Sequence, residues 1–440
     1  MCWKSNTFWL NSLSGENFVQ LGIIFAGKYK WIWPASLKRR CLEAFLVRVY
    51  TPVVHTPSSN SCRKMAPMKA LPRLASIGLA ALILCSLGVS PAQATPITAS
   101  LNGYDLVKVG NPGNTGQLQT YATGGNLTFG AVATDFWIGK YHFTNSQYTA
   151  FLNAIDPAGT NPNSVYNGSM GSDPRAGISR TAGNAPGAKY AVRPNMGDKP
   201  VNFVSWFDAA RVSNWLHNGA QTYGSTDATA SAPQNTGAYT LGTATSGTAP
   251  AKNAGAQFYL PTETEWYKAA FYNPTLNSNA GGYRVYGNGF DSGIAAVTAD
   301  VTGNGLAGTG GIMGSGVGNF ANFNRGADWN SQDGNVTTVG TNGAASYYGA
   351  FDMSGNVWDL NDLNGVPSSS RGLRGGLWDA VTVVVSSGFR IVNTSSLEND
   401  NIGFRLVSPV PEPATLGMTS VGALCACGWW ILKRHRRART

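Results

Sequence analysis

Cysteine is missing from residues 95–410: all six, Cys2, Cys41, Cys62, Cys85, Cys425 and Cys427, lie nearer the termini. The long central stretch therefore forms no disulfide and supplies neither a thiolate metal site nor a cysteine nucleophile. Histidine is nearly as scarce there, limited to His142 and His217. Charge is sparse as well. Only 12% of the 440 residues are charged, and Gly, Asn, Ser, Thr and Ala are abundant. That composition argues against a helical bundle and for long ordered loops on a compact scaffold. The 11% aromatic content is too high for a wholly disordered chain.

The net charge of +10 is unevenly spread. Residues 1–94 carry 11 Lys/Arg and 2 Asp/Glu, residues 95–410 carry 16 and 19, and residues 411–440 carry 5 and 1. The basic excess sits in the terminal segments, where targeting signals use it. The central stretch is slightly acidic and lacks a nucleic-acid footprint, so no nucleic-acid partner is expected.

Both ends read as sorting signals. Residues 68–94 run from a basic start (Lys69, Arg73) through an apolar stretch, Ile77 to Val89, to Ala92-Gln93-Ala94. This is the pattern of a signal peptide cut by signal peptidase after Ala94. Met65 and Met68 both suit as starts, and 1–67 lacks clear periodicity, so that stretch is read as an over-extended N-terminus. At the other end Val410-Pro411-Glu412-Pro413 precedes an apolar run, 416–432, and a cluster of basic residues. The run is at the lower limit for a membrane helix, with its basic end expected in the cytoplasm. Motif, short apolar helix and Arg-rich end together resemble the PEP-CTERM sorting tail of Gram-negative bacteria. The resemblance implies an exosortase-type partner and a transient stay in the cytoplasmic membrane. Release to the cell surface or extracellular matrix would follow.

In the central stretch, three segments open on a hydroxyl with an acceptor three residues on: Thr144/Gln147, Ser205/Asp208 and Thr262/Glu265. Apolar residues then recur at helical spacing, which predicts three short amphipathic helices. Glu263 and Glu265 fall in the first turn of the third, where a carboxylate favours the dipole and the cap. His217 falls at the end of the second, where a cation is favourable. Short strands are expected at 136–139, 237–241, 258–260, 372–376 and 403–407. Between them lie Gly/Asn/Ser/Thr-rich stretches at 157–190, 219–256 and 286–346. The class is α+β, with few helices, small sheets and much irregular chain.

The motifs fall in a recognisable order. They include Trp137-Ile138-Gly139-Lys140-Tyr141, Pro200-Val201-Asn202-Phe203-Val204-Ser205-Trp206 and Leu260-Pro261-Thr262-Glu263. Gly355-Asn356-Val357-Trp358-Asp359, Arg374-Gly375-Gly376 and Gly403-Phe404-Arg405 complete the series. The sequence resembles the formylglycine-generating enzyme, or sulfatase-modifying factor, domain across roughly 105–407. The resemblance implies a C-type-lectin-like α+β fold. It also implies an oxidation of a sulfatase cysteine by two copper-binding cysteines shortly after Arg-Gly-Gly. Those positions correspond here to Ala380 and Val385, so copper is not expected, nor is the family reaction. Related iron-dependent oxidases use several histidines, and here only a two-His-one-carboxylate site is conceivable. Structural calcium is implied near the Gly-Asn-Val-Trp motif. Asn356 and Asp359 are the candidate ligands, and Asn322 and Asp333 a second pair, since hard oxygen donors suit Ca²⁺. Trp206, Trp266 and Trp358 sit inside family motifs and are expected in the core. Trp329, Trp378 and Asp379 lie near the family's active groove and are the candidate ligand surface.

These readings favour an exported protein whose domain binds a surface glycan or protein without catalysis. A metal-dependent oxidase with repurposed chemistry and a structural matrix component are the alternatives.

Overall fold

The computed structural model describes residues 98–410, apart from 122–124, 224–228, 230, 309–311 and 317, together with two short strands near the N-terminus. Those strands, Phe8–Leu10 and Leu21–Ile23, pair antiparallel within a separate N-terminal unit. The expected signal segment, with Ala92 and Ala94, lies outside the described residues. So do Pro411, Glu412, Pro413 and the 416–432 run. Among the described residues no helix is long and apolar enough to cross a membrane.

Eight strands and three helices frame the second unit. The strands are β1 (Thr98–Leu101), β2 (Tyr104–Val109), β3 (Phe136–Gly139), β4 (Trp358–Asn361), β5 (Ser370–Arg374), β6 (Ile391–Thr394), β7 (Ile402–Gly403) and β8 (Val407–Pro409). The helices are α1 (Asn145–Ile155), α2 (Trp206–His217) and α3 (Glu263–Phe271). One sheet has the order β8-β3-β2-β1 and is antiparallel throughout. A second has the order β6-β5-β4-β7, with β4 and β7 parallel.

The helices start where the sequence places them. Thr144, Ser205 and Thr262 each accept a hydrogen bond from the backbone three residues on, and Gln147, Asp208 and Glu265 reciprocate. In α1 the apolar side chains Tyr148, Phe151, Leu152 and Ile155 are buried on one face. Helix α2 departs from the one-sided expectation: every residue from Trp206 to Leu216 is buried. The 219–256 stretch wraps its polar side. Arg211 donates to Asn235 Oδ1 and to the carbonyl of Ala244, and Asn214 donates to the carbonyls of Gln234 and Tyr239. A buried polar side chain is tolerated only when so satisfied. Residues 234–244 of the long loop are therefore held in place by the helix they cover.

Three expected strands take other forms. Residues 237–241 are irregular, because Tyr239 is held by the Asn214 side chain in place of a ladder partner. Tyr259 makes only an isolated bridge to Val407. The expected 403–407 strand is split, because the chain leaves one sheet at Gly403 and joins the other at Val407. Phe404, Arg405 and Leu406 cross between the sheets with all three side chains buried. Phe404 stacks on Phe143 with ring centroids 5.0 Å apart.

Candidate functional site

The segment after β5 is the one the motif order singles out. Gly375 and Gly376 both have positive φ. At Gly376 a Cβ would lie 2.7 Å from Val385 Cγ1, so only glycine lets the returning chain pack this closely. The loop is then pinned from two sides. Trp378 N donates to Asn356 O (2.9 Å), while Asn324 N and Arg325 N donate to Ala380 O and Trp378 O. Ala380 and Val385 sit in an apolar cluster with Tyr286, Ala321 and Phe323. Val385 is wholly buried. Ser354 Oγ donates to Val385 O (2.8 Å) and accepts from Gly287 N (2.9 Å).

The tryptophans expected at a ligand surface are interior. Trp329 and Trp378 are 6% and 4% exposed and cluster with Met196, Val336 and Val357. Their faces are taken by cations of the protein itself. Lys199 Nζ lies 4.9 Å from the Trp329 ring centre and the Arg175 guanidinium 4.4 Å from that of Trp378. Neither ring offers a free face for stacking. Asp379 is half-buried, 3.8 Å from Arg325.

The calcium ligands suggested by the sequence do not converge. Asp359 accepts from Arg405 Nε (2.8 Å) and Trp266 Nε1 (2.9 Å). Asn356 Oδ1 instead accepts from Thr337 N (3.0 Å) and from Asn322 Nδ2 (3.2 Å). Asn322 Oδ1 is buried without a hydrogen-bond partner. Asp333 is largely exposed and pairs with Arg325. Among the described residues no group of three acidic, His or Cys side chains is placed to hold a metal. Ca²⁺ binds through several oxygens, carboxylates among them, at short range, and the Asp359 oxygen facing Arg405 is already engaged.

The histidines are also apart in role. His142 is 1% exposed. It lies between Arg405 and Asp359, with Nε2 3.4 Å from Asp359 Oδ1. Burial pushes its pKa down to about 4, against the raising effect of Asp359. His217 ends α2, and its Nδ1 accepts from Gln257 N. Glu265 caps its helix as expected. Glu263 does more than favour the dipole, accepting from Arg374 Nε (2.7 Å) and from Arg390 (2.8 and 2.7 Å). The charged groups of the interior are thereby engaged in holding strands and loops together.

An open cleft of about 620 Å³ lies among the described residues. Its lining includes Tyr272, Asn273, Arg284, Asn288, Phe290 and Tyr347. None of these was singled out by the sequence. The available signal was the presence of aromatics inside Gly/Asn-rich loops.

With that geometry in place, the sulfatase-modifying factor enzyme 1-like domain family matches residues 124–410. The chain belongs to this family. Three solved structures are similar to it over most of its length. Treponema denticola variable protein 1 is 17% identical, covering 72% of this chain and 100% of its own, with a TM-score of 0.39. CarF is 22% identical, covering 70% and 100%, with a TM-score of 0.38. PvdO from Pseudomonas aeruginosa is 17% identical, covering 72% and 100%, with a TM-score of 0.37. No match is found among curated proteins. As a family member the chain has the few short helices, small sheets and irregular loops its motifs led one to expect. The match begins later than the motif order suggested, at residue 124 instead of about 105.

Proposed function

We propose that this chain is an exported, non-catalytic member of the family that serves as a binding module at the cell surface or in the extracellular matrix. The observation that carries this reading is the apolar packing of Ala380 and Val385 with Tyr286 and Phe323. These are the positions that the family resemblance gives to copper-binding cysteines. Methyl and isopropyl groups neither ligate copper nor transfer electrons. Export rests on the signal-peptide pattern ending at Ala94. Retention and release rest on the tail from Val410 onwards.

Two measurements on the purified full chain test the reading. Metal analysis is expected to give no stoichiometric copper or iron, and a sulfatase-type cysteine peptide is expected to stay unoxidised. Stoichiometric copper with peptide oxidation would overturn it. For the tail, mass spectrometry of surface material is expected to lack peptides spanning 416–432, and recovering them intact would sink the sorting proposal.

A further inference from the structure

The turn at 286–290 has two sides. Tyr286 packs into the apolar cluster that holds Ala380 and Val385. Tyr286 N donates to Phe290 O, and Gly289 N donates to Tyr286 O, which closes the turn. Asn288, Gly289 and Phe290 line the 620 Å³ cleft. The turn whose Tyr286 packs against Ala380 and Val385 thus lends its next residues to the wall of an open cleft.

The cleft has a defined chemistry. Phe271, Tyr272, Phe290 and Tyr347 provide aromatic walls, and Phe290 is 40% exposed. Arg284 is the only charged lining residue. Its Nη1 is paired with Asp291 Oδ2, and Asp291 is itself fixed by Val285 N. The cleft is therefore electrically balanced and has no surplus charge for an anionic ligand. Its remaining polar lining is uncharged, from Asn273, Asn288 and Ser346. Asn288 donates through Nδ2 to Asn319 and Phe320 O, while its Oδ1 is buried with no partner. Arg284 Nε is also buried with no partner.

We infer that this cleft binds an uncharged pyranose unit of a neutral glycan. A pyranose has a C–H face that packs on aromatic rings and a rim of hydroxyls that donate and accept. A cleft of this volume is of a size that takes small ligands. This inference rests on the binding-module reading and names the ligand class and the site.

The test is binding of the full chain to a panel of neutral oligosaccharides built on glucose, galactose, mannose and N-acetylglucosamine. Sialylated and sulfated oligosaccharides and an extended peptide library are the competing arms. The expected result is binding of at least one neutral oligosaccharide, with affinity unchanged between 50 and 500 mM salt at the ~10 Å screening scale of charge pairs. Phe290→Ala should weaken binding about tenfold, as expected for loss of an aromatic contact. Tyr347→Ala should weaken it too, which guards against a single variant that fails to fold. Binding only to charged glycans or peptides, binding to none of the panel, or neutral-glycan binding untouched by both substitutions would each overturn the inference. The binding-module reading would fail separately, by copper loading and peptide oxidation.

Discussion

Arg405 donates from Nε to Asp359 Oδ2 at 2.8 Å, with both side chains buried. Arg405 stands where the chain crosses from one sheet to the other, and Asp359 lies on β4 in the second sheet. The guanidinium also donates to Gly139 O at the end of β3 in the first sheet (3.1 Å) and to Phe351 O. One side chain therefore joins both sheets and the loop before the Gly-Asn-Val-Trp motif.

Removing one partner of such a pair leaves a buried charge uncompensated, which costs about 3–5 kcal/mol. Arg405→Met is expected to destabilise the protein by that amount in chemical denaturation. The double variant Arg405→Met/Asp359→Leu is expected to recover a large part of the loss, because both charges are gone. A single-variant loss below about 1 kcal/mol, the range of exposed pairs, would show that the pair is not solvent-excluded.

His142, beside that pair, gives stability a pH signature. Burial holds its pKa near 4 in the folded protein, against 6.5 for a solvent-exposed histidine. Between those values the unfolded chain binds the proton and the folded one does not. The stability from keeping the ring neutral is thus complete above about pH 6.5 and lost as pH falls towards 4. The full effect is on the order of 3 kcal/mol. Comparing unfolding free energies of the wild type and His142→Asn at pH 7 and pH 4.5 isolates it. Parallel pH dependence in the two proteins would refute the assignment.

Glu398 has the opposite sign. Desolvation, and then the charge of Asp208, raise its pKa to about 7, against the lowering effect of the Asn167 hydrogen bond. The folded state holds this proton more tightly than the unfolded one. Its contribution is present below about pH 4.5 and lost as pH rises through 7. Glu398→Gln is therefore expected to raise the melting temperature at pH 8 and leave it unchanged near pH 4. A variant less stable than wild type at pH 8 would contradict this.

The parts legible in the sequence were those set by local chemistry. Thr144/Gln147, Ser205/Asp208 and Thr262/Glu265 announce their caps within four residues, and all three helices begin there. The motif order gave the family and fold for the same reason, since short runs carry it. What depends on distant partners was not legible. Nothing local tells that Trp329 and Trp378 are covered by Lys199 and Arg175. Nor does the Gly-Asn-Val-Trp motif reveal that Asp359 is taken by Arg405, leaving Asn356 to a separate amide network. Phe290 and Asn288 were missed because their loop has no periodicity.

Burial of the 380–385 segment can be measured directly with thiols. Val383 is 62% exposed, whereas Val385, two residues on, is wholly buried against Tyr286 and Phe323. Val383→Cys should label with a maleimide at the rate of a free thiol. Val385→Cys has two brakes: apolar burial raises a thiol's pKa, and the reagent reaches it only through local opening. An opening free energy of ~3 kcal/mol slows labelling about a hundredfold. Peptide mapping by mass spectrometry separates each introduced thiol from the six natural cysteines. Equal rates would mean that the 380–385 segment opens freely. The proposed lack of catalysis would then rest on the missing thiols alone, not on burial of this position.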